Sequence, residues 1–273
     1  MKEDIPSRSS YRKRHVKRCL HGAAPSQPLR TVLSSSQPDT TFNEAPSHLY
    51  TITSPFHDLQ GDLIPQEKVL GNGRSAVVIL QDGKTVKFPL NALRGCEYEA
   101  MINRETLNHE RSVYHRFLDG DGEGSDCVVR CLELLPEETH LEHMVNRDLR
   151  GYLETHRPSK TLQLGWFRQM TSALVFILER RVLVADIASR NFVVGADLAL
   201  KICDFSGASI IPLDSDMNTV DGDGCTVRID VGLLAGVMYE IITGTGAAIF
   251  ICAKVVLEYS WRCYLSRHQL IRR

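Results

Sequence analysis

Hydrophobic and polar positions recur with different periods along the chain, and these periods predict the elements of a folded region. Between Val69 and Phe88, runs of apolar β-branched residues are interrupted by glycines and by an Asp-Gly pair, which predicts three short strands. The segment Glu97–Leu118 carries apolar residues at helical spacing and predicts a helix. Further apolar runs predict strands at 128–135, 140–144, 182–184, 192–194 and 200–203, and helices at 162–178 and 229–242. Strands with one helix, followed by a mostly helical part, indicate a two-lobed α+β fold.

The helix predicted at 229–242 is apolar on nearly every side, so we expect it to be buried. It belongs to a longer apolar stretch, Val231–Leu257, which Glu240 and Lys254 interrupt. Because an interior charge costs about 2.5–3.5 kcal/mol on insertion scales, we expect no membrane span there. Residues 250–264 are apolar and aromatic, and they could form an atypical packing helix.

Residues 1–62 lack such periodicity, and we predict that they form a disordered tail. This segment is basic near its start and rich in Ser, Pro and Thr after it, so it buries too little apolar surface to offset its ordering entropy. The basic cluster at 12–18 could be a nuclear address or a transit peptide, although Glu3 and Asp4 disfavour the latter. A solvated tail is the reading that we favour over both.

Composition narrows the class of protein. With 273 residues, of which 43% are hydrophobic, the chain can fill a sizeable core, and its net charge of −1 argues against direct nucleic-acid binding. Eight cysteines without a CxxC pair predict reduced thiols, and hence a cytoplasmic or nuclear protein.

Two features of the first predicted strands favour the binding of phosphate groups. Gly71 and Gly73 stand at a strand–turn–strand, where backbone amides can approach an anion without interference from a Cβ atom. Lys87 ends an otherwise apolar strand, and a buried ammonium group needs an anionic partner.

Three oxygen-bearing side chains follow buried apolar runs in the second half of the chain. Asp186 and Asn191 lie five positions apart in a short loop, and Asp204 ends the next apolar run. A carboxylate of this kind can accept a hydroxyl proton, while the other two oxygen donors suit a hard cation.

In this order and spacing, these motifs resemble a eukaryotic protein kinase domain, over roughly 66–244. The runs Asp204-Phe205-Ser206-Gly207 and Arg190-Asn191-Phe192 are similar to those of serine/threonine kinases common in filamentous fungi. The resemblance implies a small β-rich first lobe with one helix, at about 63–144, and a shortened helical second lobe, at about 145–273.

The resemblance also implies the nucleotide site. Gly71, Gly73 and Val78 match the Gly-rich loop, and Lys87 matches the lysine that binds the α- and β-phosphates. Its partner on the following helix would be Glu110, with Glu105 as the alternative. Glu142 and Met144 match the hinge, whose backbone would bind adenine.

The implied reaction is transfer of the γ-phosphoryl group of ATP to a serine or threonine hydroxyl of a protein substrate. Asp186 would be the catalytic base, while Asn191 and Asp204 would hold Mg²⁺. Asp230 matches the residue that anchors the catalytic loop to a buried helix. The sequence does not identify the protein substrate or the oligomeric state.

The sequence departs from the family's pattern in three places, which keeps other functions open. Val184-Ala185 stands where the family has His-Arg, the segment 205–230 lacks an Ala-Pro-Glu motif, and residues 245–273 do not resemble the late helices of the second lobe. One alternative is a pseudokinase that binds ATP or a partner without transfer. Another is an atypical compact kinase, such as an EKC/KEOPS-type tRNA-modification subunit or a small-molecule kinase.

Overall fold

The computed structural model describes residues 53–91, 96–119, 126–222 and 224–244. The chain divides into two units, Met1–Thr51 and Ile52–Arg273, and all of the described residues belong to the second. Most of the predicted N-terminal tail and the atypical helix predicted at 250–264 therefore lie outside the described residues.

A five-stranded antiparallel sheet forms the first lobe, in the order β3-β4-β5-β7-β6. Its strands are β3 (Val69–Asn72), β4 (Ala76–Gln81), β5 (Lys84–Pro89), β6 (Cys131–Leu134) and β7 (Thr139–Leu141). Asp82 and Gly83 both have positive φ, at 50° and 73°, and close the β4–β5 hairpin as the Asp-Gly pair predicts. Val77 and Phe88 are register partners on these two strands and are fully buried in the core of this lobe.

The α-helix that the structure describes in the first lobe, α1 (Glu97–Leu118), has the predicted bounds. Its buried positions recur at three- and four-residue spacing along one face, and they are Leu107, Glu110, Val113, Tyr114 and Phe117. Glu110 is the charged member of this set, so the helix carries a carboxylate into the interior.

Regular structure begins before the predicted boundary at residue 63. Strand β1 (Thr53–His57) pairs antiparallel with β2 (Leu63–Pro65), and the buried hydroxyl of Ser54 donates to the carbonyl of Ile64 at 2.8 Å. The predicted disorder of residues 53–57 is thus corrected. The strands are too short for an alternating pattern to appear in the sequence, and only Ile64 and Phe56 join the apolar core of the first lobe.

In the described part of the second lobe there are three α-helices: α2 (Leu149–Thr155), α3 (Lys160–Glu179) and α4 (Val227–Thr243). Asp148, Ser159 and Thr226 each accept a backbone amide at the N-terminus of one helix. Four short strands lie between α3 and α4: β8 (Val182–Leu183), β9 (Phe192–Val194), β10 (Leu200–Ile202) and β11 (Ser209–Ile210). β9 pairs with β10 and β8 with β11, both antiparallel.

Three sequence-based expectations need correction in this lobe and at its junction with the first. The strand predicted at 140–144 ends at Leu141, so the hinge residues lie in an irregular connection. The helix predicted as buried is buried on one face and exposed on the other. Cys225 is disulfide-bonded, whereas Cys96, Cys127, Cys131 and Cys203 form no disulfide, as expected. Among the described helices, none is long and apolar enough to cross a membrane.

Candidate active site

A row of register partners crosses the sheet of the first lobe. Gly71 on β3 lies opposite Val78 on β4, Val78 lies opposite Lys87 on β5, and Lys87 lies opposite Thr139 on β7. Register partners project from the same face of a sheet, so Val78 and Lys87 share one face. A Cβ atom added to Gly71 would meet no atom within 4 Å, which leaves open space beside the strand.

Lys87 lies between two carboxylates. Its Nζ atom is 2.7 Å from Oε2 of Glu110 and 3.0 Å from Oδ1 of Asp204. Burial alone would lower the pKa of Lys87, but the two carboxylates outweigh it and raise the pKa above its ordinary value. Lys87 therefore stays charged. Of the two predicted partners, Glu110 is the one that pairs with it, while Glu105 is exposed.

Glu110 also connects the first lobe to the residue after Asp204. Its Oε1 atom accepts a hydrogen bond from the backbone amide of Phe205 at 3.1 Å. The ring of Phe205 is fully buried and packs edge-on against Tyr114 and Phe117, with centroid distances of 5.5 and 4.9 Å. Helix α1 is thus held against the second lobe by both a polar and an aromatic contact.

Asp204 lies two residues after the end of β10 and has a φ of 64°, an uncommon conformation for a residue other than glycine. Burial tends to raise the pKa of Asp204, but the charge of Lys87 overcomes this and holds it below its ordinary value. The carboxylate is therefore ionised at neutral pH. Such a conformation is tolerated where surrounding contacts enforce it, and these are often functional positions.

Asp186 and Asn191 are joined within one short loop. The Nδ2 atom of Asn191 donates to the backbone carbonyl of Asp186 at 2.8 Å and to its carboxylate at 3.2 Å. The backbone carbonyl of Asn191 in turn accepts the amide of Cys203 at 2.8 Å, next to Asp204. The structure therefore brings the predicted base and the two predicted metal ligands into one connected unit.

Arg190 belongs to this unit, although sequence reasoning gave it no role. Its Nη2 atom lies 2.5 Å from Oδ1 and 2.7 Å from Oδ2 of Asp186. Both side chains are about half exposed, so the pair adds little stability. Its effect is to orient the carboxylate. The four-residue spacing of opposite charges was the signal that could have identified it.

Asp230, at the start of α4, fixes the strand end that precedes Asp186. Its two carboxylate oxygens accept the backbone amides of Val184 and Ala185 at 2.8 and 2.9 Å. Burial raises the pKa of Asp230 to about 6, against the lowering effect of these two amides. The loop is thus anchored through its backbone even though Val184-Ala185 replaces His-Arg.

Ser189 gives the loop a second anchor that sequence reasoning did not identify. Its side chain is buried, and its hydroxyl donates to Oε1 of Glu240 in the last turns of α4 at 3.0 Å. The same hydroxyl accepts from Nε of Arg150 on α2 at 3.4 Å. Helix α4 therefore holds the loop at both ends, through Asp230 and through Glu240.

The hinge residues have their side chains occupied by other contacts. The carboxylate of Glu142 accepts the backbone amide of Arg130 at 2.6 Å and Nζ of Lys201 at 2.8 Å. Met144 is half-buried, packs against the main core, and accepts the amide of Arg147 at 3.2 Å through its carbonyl. The carboxylate of Glu142 is therefore structural, and adenine binding by the hinge backbone stays a prediction.

The donors at the predicted metal site suit magnesium rather than zinc. Among the described residues there is no group of three or more His, Cys, Asp or Glu side chains that could hold an ion. Asp204 offers a carboxylate, and Asn191 offers its carbonyl oxygen because its amide nitrogen is committed to Asp186. Mg²⁺ is commonly bound by one or two such oxygens together with phosphates and water, so the residues fit a nucleotide-bound Mg²⁺.

Comparison with known proteins agrees with this geometry. Residues 128–230 match the sequence model of the family described as protein tyrosine and serine/threonine kinase. A probable serine/threonine-protein kinase of Dictyostelium discoideum is 26% identical over 118 residues, which are 38% of this chain and 24% of that protein. The chain thus matches about a quarter of the length of that relative.

The matched segment contains the loop residues Asp186 and Asn191, together with Asp204 and Asp230. This match agrees with the observed architecture, in which a β-rich lobe that contains α1 is followed by a helical part. The chain has a protein-kinase-like fold, and its segment 128–230 is similar to the kinase domains of the protein tyrosine and serine/threonine kinase family.

Proposed function

We propose that this chain is an ATP-dependent phosphotransferase, and specifically a protein serine/threonine kinase. The observation that carries the proposal is the position of Lys87, whose Nζ atom lies within 3.0 Å of both Glu110 and Asp204. Forming this cluster requires β5, α1 and the end of β10 to meet. It leaves a fixed positive charge beside an ionised carboxylate, which suits a phosphate chain that carries a metal ion.

Each residue of the site would have a distinct role in phosphoryl transfer. Lys87 would bind phosphate oxygens, and Glu110 would hold the ammonium group in place. Asp204 and Asn191 would hold Mg²⁺, which when bound neutralises charge that develops on the phosphates. Asp186 would accept the proton of the substrate hydroxyl as that oxygen bonds to the γ-phosphorus and the bond to the ADP oxygen breaks. Positioning and charge stabilisation supply most of the rate in such a transfer.

Specificity for serine and threonine rests on the printed name of the Dictyostelium relative and on the resemblance of the motifs. We also propose that the substrate is a protein of the cytoplasm or nucleus. The proposal does not include direct binding of nucleic acid.

A second candidate, a nucleotide-binding pseudokinase, is favoured by the contacts of Asp186. Arg190 holds both oxygens of its carboxylate, so a substrate hydroxyl must share one of them or displace the guanidinium group. Nucleotide binding does not require Asp186 to be accessible, so binding without transfer is compatible with this geometry.

The two candidates are separated by measuring Mg·ATP binding and phosphoryl transfer on the same preparations. In an Asp186→Asn variant we expect transfer to a generic protein substrate to fall by about 10²–10⁴-fold with nucleotide affinity unchanged. Asp214→Asn is the matched control, because Asp214 is an exposed aspartate in the second lobe. Binding without transfer in the unmodified chain would establish the pseudokinase, and the lack of both would overturn the proposed function.

A further inference from the structure

The loop that contains Asp186 has two exposed arginines beside it. The Nη2 atom of Arg190 lies 2.5 Å from Oδ1 and 2.7 Å from Oδ2 of Asp186. The Nε atom of Arg150, on α2, donates to the hydroxyl of Ser189, the residue before Arg190, at 3.4 Å. Two guanidinium groups from different elements therefore contact one short stretch of the loop. We call Arg150 and Arg190 the basic pair.

The basic pair has hydrogen-bond donors to spare. A guanidinium group carries five N–H donors in a fixed planar arrangement. Arg190 donates through Nη2 and Arg150 through Nε, and their other nitrogens donate to no acceptor in the part of the chain that the structure describes. Both residues are exposed, so an anion from solution can reach these donors.

The carboxylates near the basic pair do not neutralise it. Glu240 accepts the hydroxyl of Ser189, and Asp148 accepts the amide of Gly151 at the start of α2. Among the described residues, Asp186 is the one carboxylate that forms an ion pair with either arginine. Two guanidinium groups thus share a single carboxylate where the phosphoacceptor hydroxyl would lie.

The contact between Arg190 and Asp186 sets a requirement on the substrate. Because Arg190 holds both carboxylate oxygens, a hydroxyl group must compete with the guanidinium group for one of them. An exposed ion pair at four-residue spacing is worth only about 0.3–0.5 kcal/mol, so a second carboxylate can draw Arg190 away at little cost. A substrate that brings its own carboxylate beside the hydroxyl meets this requirement, and a neutral substrate does not.

We propose that the basic pair selects protein substrates that have a glutamate or aspartate next to the phosphoacceptor serine or threonine. The substrate carboxylate binds the free donors of Arg150 and Arg190 and turns Arg190 away from Asp186. An oxygen of Asp186 is then open to the hydroxyl. The planar fork of an arginine suits this role, because it binds a carboxylate through two parallel hydrogen bonds. This inference rests on the proposed function and names the substrate class for the same site.

The test compares three serine peptides that differ only at the two residues flanking the serine, which are both Glu, both Gln or both Lys. With the full chain and Mg·ATP, we expect kcat/KM to be at least about tenfold higher for the Glu peptide than for the Gln peptide, and lowest for the Lys peptide. The preference should decline as the salt concentration rises from about 0.05 to about 0.5 M, because exposed charges are screened.

Arginine variants separate a role in specificity from a structural role. Arg190→Gln should reduce the preference for the Glu peptide to about twofold or less and raise kcat for the Gln peptide, because Asp186 is no longer covered. Arg150→Gln should reduce the preference through a higher KM for the Glu peptide. Arg168→Gln is the matched control, since Arg168 is an exposed arginine on α3, and it should leave the preference unchanged. A purely structural role for Arg190 would instead lower kcat equally for all three peptides.

Peptide binding keeps this inference separate from the proposed function. In fluorescence anisotropy with Mg·ADP, the unmodified chain should bind the Glu peptide at least about fivefold more tightly than the Gln peptide, and Arg190→Gln and Arg150→Gln should remove the difference. This result without any phosphoryl transfer would support the recognition of acidic peptides and contradict the kinase activity. Equal kcat/KM and equal affinity for the Glu and Gln peptides in the unmodified chain would overturn the inference, as would a preference that survives both substitutions.

Discussion

The ionisation of Lys87 shows how single residues determine this site. Burial opposes its charge, and two carboxylates within 3.0 Å restore it. A buried ion pair is costly to break from one side, since the remaining partner is left without compensation, typically by about 3–5 kcal/mol. The ion pair between Lys87 and Glu110 therefore contributes more to the positions of these two side chains than to the stability of the fold.

We predict that Lys87→Met lowers the free energy of unfolding by about 3–5 kcal/mol, because it leaves the buried carboxylate of Glu110 without its charged partner. The double variant Lys87→Met/Glu110→Gln should recover part of this loss, with a coupling of about 1–3 kcal/mol. Urea unfolding of the two single variants and the double variant measures it. Strict additivity of the single effects would contradict the pairing.

The pH dependence of stability should show the buried Asp230. Its pKa is raised from 3.8 to about 6, so the folded chain binds this proton more tightly than the unfolded chain does. Its contribution to the free energy of unfolding is therefore fully present below its ordinary pKa and is lost as pH rises through about 6. The loss is at most about 3 kcal/mol, at 1.36 kcal/mol per pKa unit.

Urea unfolding at pH 4, 5, 6 and 7 checks this prediction. In the unmodified chain the contribution of Asp230 falls with rising pH, and Asp230→Asn should remove that part of the slope while lowering stability at every pH. An unchanged slope in Asp230→Asn would mean that the carboxyl group titrates normally.

The sequence predicted most members of the site because they belong to a spaced set of motifs. The choice between Glu105 and Glu110 was open, although the periodicity of α1 favours Glu110. Glu110 lies three residues from both Leu107 and Val113, on the buried face, whereas Glu105 lies on the opposite side. Ser189 was missed because its role depends on contacts with Glu240 and Arg150 that no local pattern reveals, whereas Arg190 could have been found from its four-residue spacing from Asp186.

Elements with strong periodicity were predicted well, and elements held by single contacts were not. Helix α1 and the β4–β5 hairpin follow from apolar spacing and turn chemistry. The β1–β2 pair has only Ile64 and Phe56 in the apolar core and adds the hydrogen bond from Ser54, and β7 has only three residues, so neither strand gives a clear alternating pattern. The short turn between Asp186 and Asn191 is likewise held by other elements, since α4 and α2 reach it through Ser189.

We predict that Ser189→Ala lowers the free energy of unfolding by about 1–2 kcal/mol, because it leaves Glu240 without its buried donor. Ser172→Ala is the control, since Ser172 is exposed on α3 and its loss should change stability by less than about 0.5 kcal/mol. Thermal or urea unfolding gives both values. Equal effects of the two substitutions would show that the Ser189 contact carries no stability.

At the scale of the whole molecule, the site is assembled from both lobes. Lys87 and Glu110 come from the first lobe, and Asp204 and Phe205 from the second, so a ligand that binds there should stabilise the two lobes together. The sequence could not predict how the second lobe is completed after Gly244, because its final residues depart from the pattern on which the resemblance rests.

We predict that Mg·ATP raises the melting temperature of the full chain. At about 100 times its Kd, a ligand adds roughly 2.7 kcal/mol, which corresponds to about 5–11 °C for a domain of this size. Asp204→Asn should make the shift independent of Mg²⁺. Differential scanning fluorimetry with ATP, with Mg·ATP and without nucleotide provides the comparison, and an unshifted melt in the unmodified chain would contradict nucleotide binding.

The Oε1 atom of Glu110 accepts hydrogen bonds from Lys87 at 2.9 Å and from the amide of Phe205 at 3.1 Å. A shared acceptor makes the two contacts interdependent. If α1 swings outward it releases both at once, and if Phe205 leaves its pocket the carboxylate loses a donor that helps to hold it. Arrangements in which only one of the two contacts is formed are thus less stable. The site should therefore convert cooperatively between an assembled state and a state in which both contacts are broken.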